Sequence, residues 1–348
     1  MQPALVKFGE RDGEVEIQEI AEPEMRADRV LLRVDAAGVC GSDLHMWRHH
    51  HSWPIKMPLV LGHEFCAVIE QVGDDVEGFE PGMRVACETA AEVCGRCVYC
   101  LSGKYNLCPR RRGYGATIDG AFTSTVLARP EILHRVPENV PSAHAALTEP
   151  ICVAYNAVVE QTLIQPGDVV VIQGPGPIGI MCLQLIRLRG ASQIIVLGTN
   201  ADAHRLTIAK ELGASLALNV QAENPLEVLK TVGDGLGADV VVDCTGVSVA
   251  LKQALELVRP AGQITKIGWG PRDLNFNLDP LVQKAVRLQG SFSHTFGTWE
   301  RALRLLSSGQ LNLDLVIGGV YELPKWRQAF TTMEAGDCVK SVLKIGDF

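Results

Sequence analysis

The chain has 348 residues, 47% of them apolar, enough for two ordinary domains with their own cores. A formal net charge of −8 speaks against a nucleic-acid partner. No apolar run reaches membrane-spanning length, and Met1-Gln2-Pro3-Ala4 lacks the basic start of a leader. Eleven cysteines, an odd number and mostly scattered, suit a reducing compartment, so a soluble cytoplasmic protein is expected.

Residues 1–150 are rich in short β-like runs broken by Gly and Pro, such as Val30–Val34, Phe65–Val72 and Met83–Ala86. They predict a compact β-barrel unit. The run His49-His50-His51, just before Pro54, reads as a surface loop. Cys94, Cys97, Cys100 and Cys108 follow with a 2-2-7 spacing. Four thiolates on one short lobe suit a closed, tetrahedral structural Zn²⁺ site, which has no open position and does no chemistry. Arg110-Arg111-Arg112 reads as the solvated edge of that lobe.

Near Ile164–Asp168 the pattern changes. Strands Val169–Gln173, Ile194–Leu197, Val240–Cys244 and Ile264–Ile267 alternate with helices Ile178–Arg189, Ala203–Leu212 and Val249–Val258. Continuous Val/Ile runs between helices predict a parallel sheet covered on both faces. After Gly290 the pattern is mixed, and the tail is expected to return to the first unit.

Gly174-Pro175-Gly176-Pro177-Ile178-Gly179 fits G-x-G-x-x-G between a strand and a helix, the context of a dinucleotide-binding turn. The pyrophosphate belongs at that helix N-terminus. The position that usually carries a ribose-binding acid falls on Gly198. Thr199, Asn200, His204 and Arg205 follow and are candidates for a 2′-phosphate. The cofactor expectation is NAD(P), leaning slightly to NADP, with Asp202 as the residue that would serve NAD.

The chemistry-bearing residues lie earlier. Cys40, Ser42, Asp43 and His45 fall within six positions, Gly62-His63-Glu64 adds an imidazole and a carboxylate, and Glu149 precedes Pro150. Catalytic zinc takes about three protein ligands and keeps one position open. Cys40, His63 and one or both of Glu64 and Glu149 supply that set.

With Lys104–Pro109 and Glu149-Pro150 added, these strings resemble the zinc-dependent medium-chain dehydrogenases along nearly the whole chain, closest to the sorbitol (L-iditol 2-) dehydrogenase branch. The resemblance implies an α/β protein. A GroES-like β-barrel catalytic domain would span 1–152 and 290–348, with the zinc lobe at about 87–112. A Rossmann doubly wound parallel-sheet domain would span 153–289. It implies two zinc ions and reversible oxidation of a secondary alcohol, a polyol or vicinal diol, by hydride transfer to NAD(P), in a homodimer or homotetramer. It further implies that Cys40, His63 and Glu64 hold the metal and that Glu149 binds it directly or through water. Ser42 would take the alcohol proton and pass it, via the nicotinamide ribose, towards His45. Asp43 would orient the histidine ligand, and Lys340 would reach the pyrophosphate. The chain departs from the polyol pattern at Met46, where tyrosine is usual, and at Ser291–His294, which lacks an arginine. Alternatives are a threonine-type or primary-alcohol dehydrogenase, and a non-catalytic cofactor-binding protein.

Overall fold

A computed structural model describes residues 1–346. Its parallel sheet has six strands in the order Leu216–Asn219, Gln193–Gly198, Val169–Gln173, Ala238–Asp243, Val258–Lys266 and Arg287–Gly290. Every pairing in it is parallel. Val169–Gln173 is buried along its whole length, as its unbroken apolar run requires. Helices Pro177–Leu188, Ala203–Glu211 and Ser248–Leu257 cover the sheet. The strand order reverses on either side of Val169–Gln173, so the crevice beyond Gln173 is the switch point where such sheets bind ligands.

The other large sheet is mixed and runs Ile317–Glu322, Lys340–Lys344, Val30–Gly38, Glu64–Val72, Arg84–Cys87, Leu133–Arg135, with Thr125–Ala128 also paired to Val30–Gly38. The tail thus joins the N-terminal half: Val342 lies opposite Gly38, and Leu343 opposite Ala37. A small sheet of Val15–Ile20, Gln2–Lys7 and Leu59–Val60 closes this unit. Its core holds Leu32, Phe65, Phe122 and Phe330, with Trp47 edge-on to Phe330 at 5.7 Å. A second core cluster joins the two halves, running from Ala36 and Cys66 through Ile151 to Ile172 and Trp299. The cavity described next lies on this seam.

Candidate active site

Strand Val30–Gly38 delivers the chain to Cys40, which caps helix Gly41–Trp47. Asp43, fully buried, holds the turn: its Oδ2 accepts from Cys40 N at 2.8 Å and its Oδ1 from Gly62 N at 3.3 Å. Gly62 has φ +91°, and a Cβ there would stand 2.5 Å from the Phe122 ring, so only glycine fits. That bend presents His63 beside Cys40. One ligand atom from each of Cys40, His63 and Glu64 lies within 4.8 Å of the others. A sulfur, a nitrogen and a buried carboxylate oxygen so close together suit zinc. The Glu64 carboxylate is fully buried beside Cys40 and His63, and the charged partner it has among the described residues is the Lys340 ammonium.

His63 Nδ1 is 3.8 Å from Asp43 Oδ1, and Nε2 is 3.4 Å from Ser42 Oγ. Burial pulls the His63 pKa down, but Asp43, then Cys40 and Glu149, outweigh it and hold the ring well above its ordinary value. A proton and a metal therefore compete for this ring. Burial pushes Asp43 up against the pull of His63. Glu149 is not among the three clustered ligands. It lies on the same cavity wall, its Oε1 3.2 Å from His294 Nε2. Burial raises Glu149, but His294, His63 and Lys340 together outweigh it and hold the carboxyl below its ordinary value.

Lys340 departs from expectation. Instead of extending to the glycine loop, its ammonium is fully buried, 2.7 Å from Glu64 Oε1 and 2.5 Å from Oε2. Burial would strip its proton, but Glu64 and Cys40 hold it as an ammonium. An uncompensated buried carboxylate costs more than bringing a lysine to it.

The cavity is about 490 Å³ and is lined by Cys40, Ser42, His45, His63, Glu64 and Glu149 at one end and Gly176 to Gly179 at the other. A Cβ on Gly179 would fall 1.9 Å from Gly174 O, so the third glycine permits strand and helix to touch. A Cβ on Gly176 would meet open space, the room a pyrophosphate needs at this helix start. Gly198 ends its strand as expected, but the residues after it turn inward. Thr199 donates its N–H and hydroxyl to Asp202 Oδ2 at 2.9 and 2.8 Å. Asn200 Oδ1 accepts from Asn219. Arg205, expected to meet a phosphate, spends its guanidinium on the carbonyls of Cys338 and Met333 and lies 3.6 Å from Asp202. These carbonyls lie at the end of helix Trp326–Glu334 and just beyond it, a place that favours a cation. His204 stays exposed, as does Asn200 apart from its bond to Asn219.

The zinc-lobe cysteines are all free thiols with their sulfurs clustered. Cys97 Sγ is 3.5 Å and Cys94 Sγ 4.0 Å from Cys100 Sγ. A tetrahedron with Zn–S of about 2.3 Å has edges of about 3.8 Å, so the spacing is right for a metal and too long for a disulfide. The lobe is tied to the barrel by the Tyr105 hydroxyl, 2.8 Å from both oxygens of buried Glu88.

Trp53 and Trp269 line the cavity and gave no signal in the sequence; Arg111, expected at a solvated edge, lines it too, and Phe292 and His294 fall in the segment noted only for its missing arginine. The histidine run is not a plain surface loop either. His51 Nδ1 bonds Trp53 O at 2.8 Å, and the His49 and His51 rings meet edge-on at 5.1 Å.

Residues 26–138 match the alcohol dehydrogenase GroES-like domain family, and residues 177–308 the zinc-binding dehydrogenase family. The chain is 38% identical over 341 residues to a sorbitol dehydrogenase of Halalkalibacterium halodurans, covering 98% of each protein. It is 35% identical over 327 residues to a D-arabitol-phosphate dehydrogenase of Enterococcus avium, covering 94% of this chain and 92% of that one. A zinc-binding dehydrogenase structure from Sinorhizobium meliloti 1021, bound to NADP, superposes with a TM-score of 0.90 at 30% identity over 99% of each chain. With a donor set fit for zinc and a dinucleotide loop on one cavity, the chain belongs to the zinc-dependent, NAD(P)-dependent alcohol and polyol dehydrogenases.

Proposed function

We propose that this enzyme oxidises a secondary carbinol flanked by a second hydroxyl to a ketone, reversibly. The observation that carries the reading is the shared cavity, with Cys40, His63 and Glu64 at one end and Gly176 and Gly179 at the other. The sorbitol and arabitol-phosphate specificities of its relatives agree with it.

Cys40, His63 and Glu64 would hold one zinc, and Cys94, Cys97, Cys100 and Cys108 a second. The first supplies Lewis acidity towards an alcohol, and NAD(P) supplies the hydride acceptor. The chain's own residues do the rest. Ser42 and His45 sit one helical turn apart on Gly41–Trp47, at i and i+3 on the cavity face. Ser42 takes the alcohol proton and His45 releases it. Burial, then the nearby His50 and His51, lower the His45 pKa, so the ring is neutral and able to accept. Asp43 fixes the His63 ring, and His294 holds Glu149 facing the cavity. Glu149 would accept a second hydroxyl beside the one presented to the Cys40, His63 and Glu64 set, which favours a diol over a simple alcohol.

For the cofactor, the reading is NADP(H) used at least as well as NAD(H). Gly198 places no carboxylate at the strand end, and Asp202 is turned onto Thr199. No helix is long and apolar enough to cross a membrane. Free thiols throughout support a cytoplasmic location, and a homodimer or homotetramer is the assembly we assign. Initial rates on C3–C6 alcohols and ketones with both cofactors test the reading.

A further inference from the structure

The three arginines after Cys108 part ways. Arg110 is exposed, and Arg112 pairs with Glu92 Oε2 at 3.0 Å on the surface. Arg111, expected at the solvated edge with them, turns inward to the cavity wall. Its Nη2 donates to Thr89 Oγ1 at 2.8 Å, and its carbon lies 5.6 Å from the Phe292 ring centroid. Its Nε is buried with no hydrogen-bond partner. No carboxylate among the described residues lies within ion-pairing distance of it.

The two acids nearest in charge are committed elsewhere. Glu149 is bonded to His294 at 3.2 Å. Glu88 is bonded to the Tyr105 hydroxyl at 2.8 Å and to His134 Nε2 at 3.1 Å. A guanidinium cannot shed its charge, and a sequestered cation without a partner is costly. Its planar fork matches the oxygens of a carboxylate or phosphate. Thr117, Ser291 and Ser293 line the same cavity and add hydroxyls to its wall.

We infer that Arg111 is the docking point for an anionic terminus, a phosphomonoester or carboxylate, on the polyol whose carbinol is oxidised at the Cys40 end. This rests on the secondary-alcohol reading above. It also answers the missing arginine in Ser291–His294: the cation comes from the zinc lobe instead.

The test titrates tryptophan fluorescence, since Trp53 and Trp269 line the cavity. The ligands are D-arabitol, D-arabitol 5-phosphate and D-arabinonate, with turnover of the same three followed using both cofactors. Wild type, Arg111→Met and Arg111→Lys are compared. Charge-assisted bonds predict that one anion binds roughly 10- to 100-fold tighter than arabitol in wild type. Arg111→Met should bring that ratio close to one, and Arg111→Lys should restore part of it. The phosphate and carboxylate arms identify which anion is taken. Arabitol binding as tightly as both anions to wild type overturns the inference, as does an unchanged ratio in Arg111→Met. Preferential anion binding with no turnover of any of the three supports the anion site and sinks the secondary-alcohol reading. Turnover and binding of arabitol alone do the reverse.

Discussion

Trp299 Nε1 donates to His294 Nδ1 at 2.7 Å, and this one bond sets the protonation pattern of the pocket wall. An indole nitrogen can only donate, so Nδ1 is the acceptor and Nε2 carries the proton. Nε2 then donates to Glu149 Oε1 at 3.2 Å. Trp299 is itself fully buried and stacks on His134 at 5.3 Å, so the donor cannot drift.

Removing a donor from a buried acceptor costs about 1–3 kcal/mol. His294→Leu should therefore lower kcat/KM roughly 10- to 100-fold on the best substrate. His294→Gln keeps an N–H near the Nε2 position and should recover most of the loss. Steady-state kinetics on both variants, with thermal melts as a fold control, check this. Equal loss in both variants would show that the ring's bulk matters and its donor does not.

The proton relay predicts a larger effect. Ser42→Ala should slow oxidation at neutral pH by roughly 10²- to 10⁴-fold, the usual worth of a positioned proton acceptor. His45→Ala should do less, because His45 has an exposed face that water can replace. Single-turnover rates of cofactor reduction separate chemistry from product release. Wild-type chemistry in Ser42→Ala rules the relay out.

The same relay has a pH signature. His45 is shifted below its ordinary value by burial and by His50 and His51. The neutral ring accepts protons, so oxidation should hold as pH falls past about 6.5 and decline only below it. His50→Gln with His51→Gln removes two of the three causes and should move that decline upward in pH. For stability, the folded protein binds fewer protons here than the unfolded chain. This site's contribution is therefore lost as pH falls from about 6.5 through the lowered value. A kcat/KM profile in the double variant identical to wild type would contradict the assignment.

The two thiol-bearing clusters have separable roles. Fully loaded protein should contain about two zinc ions per chain. Cys97→Ser should lose one together with several degrees of Tm, because the lobe that Tyr105 anchors on Glu88 loses its centre. Cys40→Ser should lose the other, abolish turnover and keep most of Tm. Elemental analysis beside calorimetry reads this, and fully active wild type with one zinc would contradict it.

Cofactor choice turns on Gly198. A Cβ there would sit 3.0 Å from Asp202 Cβ and 3.1 Å from Pro175 Cγ, so Gly198→Asp requires small neighbour shifts. The new carboxylate should cut kcat/KM for NADP(H) at least about tenfold by like-charge repulsion and spare NAD(H). A wild type strongly preferring NAD(H), with no response to the change, would remove Gly198 from the ribose site.

Much of this molecule was legible in the chain because local pattern and final environment agree. The Val169–Gln173 run is a buried strand in the sequence and in the fold. The glycine loop, Gly62-His63-Glu64 and the 2-2-7 cysteines carry their geometry in their spacing. Short edge strands with mixed composition, Leu216–Asn219 and Arg287–Gly290, gave no comparable signal. Lys340 and Arg205 were legible as cations but not as to their partners, because Glu64 lies 276 positions from Lys340. Arg111, Trp269, Phe292 and His294 form one wall only after the zinc lobe, the parallel sheet and the 291–294 segment meet. No periodicity within any one of those segments encodes that meeting.

The most direct test of the account is a matched-concentration panel read as cofactor reduction. It holds sorbitol, xylitol, arabitol 5-phosphate, butane-2,3-diol, threonine and ethanol, each with NAD⁺ and NADP⁺. The cavity described here predicts that a vicinal diol, free or phosphorylated, turns over fastest and that Cys40→Ser abolishes it. Threonine or ethanol outperforming every vicinal diol, or full turnover in Cys40→Ser, would contradict it.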